Sequence, residues 1–278
     1  MILLDGKQLA QKILTKTALE IAAFGAPLKL VIIQVGHDGA SDVYIGQKIK
    51  AAANVGIQAE HMTLSESLST DDVVQKIYSL NEDASVHGIL VQLPLPKHMD
   101  TPVIFKAIDP AKDVDGFTAY NIGKMFLDKK FEQLVPCTPL GIMHLLEEYK
   151  IDVMGKEAVV VGVSNIVGKP LAVMLTNRRA TVTICHSKTQ DLAFHTRRAD
   201  LLFVAVGKAK LITADMVKDG AVVVDVGMNR DEHGKLCGDV DFETVSKKAS
   251  FITPVPGGVG PMTVACLMEN VLKAARRM

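Results

Sequence analysis

Tyr44 and Lys48 stand four residues apart in a stretch of helical periodicity, so both side chains project from one helix face. A phenol beside an amine can move protons or stabilise a developing oxyanion. Lysine is a poor base at its reference pKa of about 10.4, so accepting a proton requires burial or a cationic neighbour. Gln92 lies in Val91-Gln-Leu-Pro-Leu-Pro96, at the carboxyl end of an expected strand. Open α/β sheets bind their ligands at that edge. Asp113-Val-Asp115-Gly116 puts a carboxylate on a tight turn, where it can take the paired N–H donors of a heterocycle; Asp115 is the better candidate of the two. Calcium does not fit there. With Gly116 as the sixth position of a calcium loop, Ala111 and Ile122 would fall at the first and twelfth positions, and neither can ligate.

A second set of residues suits an anion. The run Ala158 to Val161 is apolar and β-branched, as a strand buried on both faces would be. Gly162 ends it, Gly168 follows, and Lys169-Pro170 leads into a helix whose first turn tolerates proline. Strand, glycine turn and helix start aim free N–H groups and the positive end of the helix dipole at one spot, which suits a dinucleotide pyrophosphate. After the next expected strand, His186-Ser187-Lys188 offers polar and basic groups where NAD-binding domains usually place an acid, which favours a 2′-phosphate. Pro254-Val-Pro256-Gly257-Gly258-Val259-Gly260-Pro261 alternates rigid and bare backbone, and bare backbone permits close approach of a flat ligand.

The elements that must position these residues alternate helix and strand. Helical spacing runs from Leu9 to about Phe24, followed by a strand over Leu28 to Val35. A helix capped by Ser41 runs to Asn54 and closes at Gly56; then come a strand at Ile57–Leu64, a helix at Asp71–Leu80 and a strand at Val86–Leu93. A helix from Thr138-Pro139 to about Lys150 leads into a second series, with strands at Ala158–Val161, Thr181–Cys185, Leu201–Val206 and Ala221–Val226. Thr253 to Pro261 reads as a loop, and Met262 to Arg277 as a closing helix. Two parallel-sheet α/β domains are expected, the second a doubly wound, mononucleotide-binding one.

Composition narrows the function classes. The 278 residues suffice for two cores, and 48% apolar with 22% charged residues is a globular balance. Lys plus Arg equals Asp plus Glu at 31 each, which argues against nucleic acid as the main partner. No apolar run spans a membrane, and the amino terminus lacks the form of a signal peptide. Cys137, Cys185, Cys237 and Cys266 are widely spaced, as reduced thiols of a cytoplasmic protein would be, and no histidine motif suggests a metal.

Taken together, the segments resemble the bifunctional methylenetetrahydrofolate dehydrogenase/methenyltetrahydrofolate cyclohydrolase family. The resemblance rests on Tyr44-Ile-Gly-Gln-Lys48, Gly88-Ile-Leu-Val-Gln-Leu-Pro-Leu-Pro96, Lys112-Asp-Val-Asp-Gly-Phe117 and Pro136-Cys-Thr-Pro139 in the first half. In the second half it rests on Ser164-Asn-Ile-Val-Gly-Lys-Pro170, Asp225-Val-Gly227 and Thr253 through Thr263. The resemblance implies a cytoplasmic homodimer with a cleft between a substrate domain (1–120 with 264–278) and a Rossmann-type NAD(P)-binding domain (121–263), the last helix returning to the first domain. It also implies oxidation of 5,10-methylenetetrahydrofolate with NADP⁺ and hydrolysis of the methenyl product to 10-formyltetrahydrofolate. Lys48 matches the family's proton-transfer group, Gln92 the residue that orients it, Tyr44 one that stacks near the folate, and Asp115 the carboxylate that holds the pterin. Val91, Leu93 and Pro256, Gly257, Gly258, Val259 and Gly260 match further folate contacts. Gly162, Val163, Ser164, Ile166, Val167, His186, Ser187, Ala205, Val226, Met228 and Thr263 match the cofactor site.

One departure bears on the cofactor. The family usually has Gly-Arg-Ser in the glycine turn, its arginine helping to bind the 2′-phosphate, whereas this chain has Gly162-Val163-Ser164. Binding of that phosphate should then be weaker or fall to Ser187, Lys188 or Arg179, with NAD⁺ as a possible alternative cofactor. The competing reading is another two-domain dehydrogenase of shikimate or amino-acid type, which shares the architecture. The Tyr-x-x-x-Lys of short-chain dehydrogenases fits poorly, because there the pair follows the glycine turn and here it precedes it.

Overall fold

The computed structural model describes the backbone of residues 1–278 and every side chain except that of Ala40. The chain forms two compact units. One comprises Gln11–Lys124, Lys130–Cys137 and Val264–Met278; the other comprises Met1–Ala10, Met125–Lys129 and Thr138–Thr263. In chain order the first strands are β1 (Ile2–Leu3), β2 (Leu28–Val35), β3 (Ile57–Leu64), β4 (Gly88–Val91), β5 (Glu157–Val161) and β6 (Thr181–Cys185). They are followed by β7 (Leu201–Val204), β8 (Val222–Asp225), β9 (Asn229–Arg230), β10 (Leu236–Cys237) and β11 (Phe251–Ile252).

The smaller sheet has the order β3-β2-β4, all parallel, with Leu28 opposite Ile57 and Leu30 opposite Gly88. β2 is the central strand and is buried almost throughout, which is why its sequence is a continuous apolar run rather than an alternating one. Val31, Ile33, Ile89 and Val91 pack on one face against Val73, Val74 and Ile77 of helix Thr70–Glu82. That helix opens with a reciprocal capping box between Ser69 and Asp72. Helix Gly39–Val55 ends at Gly56, whose φ of 86° is the left-handed turn that glycine accepts without strain. Its amino-terminal cap is Asp38 and not Ser41: the Asp38 carboxylate accepts from the Ser41 N–H and hydroxyl. The expected strand at Val86–Leu93 is shorter, because the chain leaves the sheet after Val91 towards the cis Leu93–Pro94 bond.

The larger sheet is parallel throughout, in the order β1-β11-β8-β7-β5-β6. From β5 the chain goes to β6 on one side and then returns to β7 on the other. That reversal opens a crevice at the carboxyl ends of β5 and β7, the place where doubly wound sheets take a ligand. Val159, Val161, Leu202, Val204, Val223 and Ile252 form the core beneath it. The first ten residues, expected with the substrate domain, belong to this unit. Ile2 and Leu3 pair with Phe251 and Ile252, the Asp5 N–H donates to the Tyr149 hydroxyl, and the Lys7 N–H donates to the Gly257 carbonyl. The last helix, Val259–Ala275, starts inside the expected loop, and its later part, from Val264, lies in the three-stranded unit.

Candidate active site

In the three-stranded unit, Lys48 projects from helix Gly39–Val55 and meets Gln92, which follows β4. Lys48 Nζ donates to Gln92 Oε1 at 2.9 Å. The other end of that amide is fixed as well, since Gln92 Nε2 donates to the Leu93 carbonyl at 2.6 Å. The Leu93 carbonyl also accepts from the buried Ser41 hydroxyl at 3.3 Å. Gln92 therefore has one orientation available, with its acceptor towards the lysine. Tyr44 lies one helical turn before Lys48 and is half-buried, which raises its phenol pKa.

Asp115 is the third member of this group. Burial raises its pKa; the nearby charge of Lys48 works against that, the Asp113 carboxylate adds to it, and a hydrogen bond with Cys137 opposes it. The turn that carries Asp115 is anchored by its neighbours in sequence. Asp113 accepts from the N–H groups of Gly116, Phe117 and Thr118 and from Asn121 Nδ2, so its carboxylate is committed to its own turn. Lys112 is buried, and its Nζ donates to the carbonyls of Leu80, Asn81 and Asp83, where helix Thr70–Glu82 ends. A cation suits the negative end of the helix dipole; burial nonetheless lowers the Lys112 pKa against the pull of Asp109 and Asp83. Gly116 has a φ of 72°, and a Cβ there would run into the Val135 backbone. From the last helix, Asn270 Nδ2 donates to the carbonyls of Val114 and Val135 at 2.9 and 3.0 Å, bracing both sides of this contact. Lys112 and Asn270 were not singled out from the sequence, and Asp113 stood there only as the poorer candidate beside Asp115. Asn270, an amide on an otherwise apolar helical stretch, was the available signal. Val91 is a core residue, so only its main chain is open to a ligand.

In the six-stranded unit, Gly162 ends β5 with a φ of 129°, and a Cβ there would collide with the Ala205 carbonyl. A Cβ on Gly168 would collide with the Gly162 carbonyl, so both glycines are required by the tightness of the turn. The first N–H groups of helix Gly168–Asn177 are not free, contrary to the sequence expectation. Ser164 Oγ accepts from Val167 and Gly168, and the Ser164 carbonyl accepts from Lys169. Val163, Ile166, Val206 and Met228 are exposed apolar side chains following β5, β7 and β8, where a flat ligand could cover them. His186, Ser187 and Lys188 form an exposed turn after β6, in which His186 Nδ1 accepts from the Lys188 N–H. Ala205 and Val226 are partly exposed at the ends of β7 and β8, and the Thr263 hydroxyl lies 2.9 Å from that of Thr138. Arg179 is misplaced for a phosphate role. It precedes β6, whose five residues separate it from the ligand edge by roughly 16 Å of strand.

The Pro-Gly loop has a structural explanation in part. Gly258 packs on Gly6, where a side chain would meet the Gly258 carbonyl, and a Cβ on Gly258 itself would crowd Thr253 and the Pro254 carbonyl. Gly260 is tight only against the end of the Met228 side chain.

A doubly wound sheet with a glycine turn, joined in one chain to a lysine–glutamine–aspartate group, defines a nucleotide-binding α/β enzyme with a second polar site. The family models carry this further. The tetrahydrofolate dehydrogenase/cyclohydrolase catalytic domain matches residues 4–115, and the NAD(P)-binding domain of the same family matches residues 136–278. The bifunctional protein FolD of Nautilia profundicola is 53% identical over 279 residues, covering 99% of this chain and 98% of that protein. The crystal structure of the bifunctional enzyme FolD, a methylenetetrahydrofolate dehydrogenase/cyclohydrolase from Campylobacter jejuni, superposes with a TM-score of 0.96 at 51% identity, covering 100% of this chain and 99% of that one. The Trypanosoma brucei N5,N10-methylenetetrahydrofolate dehydrogenase-cyclohydrolase, complexed with NADP cofactor and inhibitor, does so with a TM-score of 0.94 at 36% identity, covering 98% and 96%. This chain belongs to the tetrahydrofolate dehydrogenase/cyclohydrolase family. Shikimate dehydrogenase from Aquifex aeolicus matches at 12% identity with a TM-score of 0.51, a likeness of fold alone.

Proposed function

We propose that this protein oxidises 5,10-methylenetetrahydrofolate to the 5,10-methenyl form with NADP⁺ and hydrolyses that product to 10-formyltetrahydrofolate. The observation that carries the reading is the Lys48–Gln92 contact at 2.9 Å, with Asp115 close enough for Lys48 to act on its charge. In hydrolysis a water oxygen bonds to the cationic methenyl carbon and loses one proton; the hydroxyl of that adduct then gives up its second proton as the carbon–N5 bond breaks and N5 takes up a proton, leaving a formyl group on N10, an N–H at N5 and one proton released. Lys48 is assigned the proton transfer. A cationic carbon nearby favours the neutral form of an amine, and Gln92 Oε1 holds Nζ in place. Asp115 is assigned to the paired N–H donors of the pterin, Tyr44 to stacking on the folate, and Val91, Leu93 and Pro256–Gly260 to further contacts with the same substrate.

When bound, NADP⁺ supplies the hydride acceptor for the oxidation. The tight turn at Gly162–Ser164 and the exposed apolar edge formed by Val163, Ile166, Val206 and Met228 fit a dinucleotide. Ser187 and Lys188 are assigned the 2′-phosphate, since no carboxylate stands at His186–Lys188 to repel it. A homodimer and a cytoplasmic location complete the proposal. β6 is an edge strand with Ile184 exposed, the four cysteines are unbridged, and among the described residues no helix is long and apolar enough to cross a membrane.

One spectrophotometric assay tests the reading: 5,10-methylenetetrahydrofolate is supplied with NADP⁺ or NAD⁺, and cofactor reduction, methenyl formation and methenyl decay are followed. Reduction followed by decay is expected. No reduction of either cofactor would sink the proposal.

A further inference from the structure

At the ligand edge of the six-stranded sheet, two buried carboxylates hold together loops that come from three adjacent strands. Asp239 is fully buried, and Asp225, which ends β8, is nearly so. Asp239 Oδ2 accepts from the N–H groups of Val206 and Gly207 at 2.6 and 3.1 Å, and its Oδ1 accepts from the Lys208 N–H at 2.8 Å; these three residues form the loop after β7. Asp239 Oδ1 also accepts from Asn229 Nδ2 at 2.9 Å, tying in the segment after β8. Asp225 Oδ1 accepts from the N–H groups of Gly227 and Asp239, and its Oδ2 from Val240, each at 2.9 Å. The Asp225 main chain is tied to the end of β11, since its N–H donates to Thr253 Oγ1 at 2.7 Å and its carbonyl accepts from that hydroxyl at 3.2 Å. The approach needs bare backbone on both sides. A Cβ on Gly227 would strike Asp239, and one on Gly238 would strike Asp225.

Two carboxylates buried side by side are unfavourable unless each is well satisfied, so this arrangement costs stability that an apolar core would not. What it secures is the relative position of the loops that carry Ala205, Val206, Val226 and Met228, and of the residue that leads into Pro254. We infer that Asp225 and Asp239 are positioning residues for the dehydrogenase reaction, holding the ends of β7, β8 and β11 in the one arrangement that receives the nicotinamide cofactor. The inference rests on the functional reading above. It adds that the hydrolytic group of Lys48, Gln92 and Asp115 does not depend on this pair.

Asp239→Asn tests it, because the amide keeps the shape but cannot accept at both ends. The expected result is a rise of about tenfold in the KM for NADP⁺, with cofactor-free hydrolysis of methenyltetrahydrofolate within about twofold of wild type. Asn229→Ala leaves both carboxylates in place and removes one donor, and should raise the same KM by about threefold; it serves if Asp239→Asn does not fold. An unchanged KM for NADP⁺ in folded Asn229→Ala and Asp239→Asn proteins, or an equal fall of oxidation and hydrolysis, would overturn the inference. Failure of the functional reading is separate: a wild-type protein that neither binds nor reduces NADP⁺ would show it and remove the inference with it.

Discussion

Lys48 Nζ donates to Gln92 Oε1 at 2.9 Å, and the Gln92 amide nitrogen is in turn held by the Leu93 carbonyl at 2.6 Å. Helix Gly39–Val55 supplies the lysine and the exit from β4 supplies the glutamine, so two separate elements must be in register for the contact to exist. Gln92→Met removes the acceptor with little change in bulk. Methenyl hydrolysis at saturating substrate should then fall by about 10- to 100-fold, the worth of a hydrogen bond to a charged partner. A rate within twofold of wild type would show that Gln92 does not orient Lys48.

Val163 stands, exposed, in the turn after β5, where an arginine could face a phosphate. Val163→Arg should lower the KM for NADP⁺ by about fivefold or more and leave that for NAD⁺ nearly unchanged, since guanidinium–phosphate pairs are charge-assisted. Lys188→Ala should act in the opposite sense with the same selectivity. Arg179→Ala, at the far end of β6, should alter neither. Steady-state kinetics with both cofactors check all three, and equal effects on NADP⁺ and NAD⁺ would refute the phosphate argument.

Lys112 is buried with its Nζ on three carbonyls at the end of helix Thr70–Glu82. Lys112→Met leaves those carbonyls without their donor and should lower stability by about 2–4 kcal/mol, read from chemical unfolding. A loss under about 0.5 kcal/mol would mean that water replaces the ammonium there without penalty.

Burial, only partly offset by three backbone N–H donors and reinforced by the neighbouring Asp239 carboxylate, raises the Asp225 pKa from 3.8 to about 6. The folded protein therefore binds this proton more tightly than the unfolded chain does. The stability it contributes is fully present below the unfolded value and is lost as pH rises through about 6. Asp225→Asn cannot titrate, so its deficit relative to wild type should be about 1 kcal/mol larger at pH 5 than at pH 7.5. Urea unfolding at the two pH values measures the difference, and a deficit independent of pH would contradict the assignment.

Strands were the most legible part of the fold. β2, β3 and β6 begin and end where the sequence predicts, β2 as the buried central strand of its sheet and β3 and β6 as edge strands bounded by turns. β1 and β11 were missed: each is two residues long, too short for any period, and each is defined by its pairing, β11 with β8 and β1, and β1 with β11. The Ser41 cap was misplaced by three residues, since Asp38 and Ser41 both suit a helix start and only the fold shows which side chain accepts. At the candidate site, the sequence points to Lys48, Gln92 and Asp115 through motif and position, and the fold brings Lys48 to Gln92 at 2.9 Å. The supports are not legible in the sequence. Lys112, Asn270 and Asp239 look like ordinary polar residues until tertiary structure brings carbonyls or N–H groups to them.

The role of Lys48 is tested by Lys48→Met, assayed for cofactor-free hydrolysis of 5,10-methenyltetrahydrofolate with NADP⁺ binding measured on the same sample. Hydrolysis should fall by about a thousandfold with unchanged NADP⁺ affinity, because the proposed proton-transfer group is gone and the Gly162 turn is untouched. Hydrolysis near the wild-type rate would contradict that role.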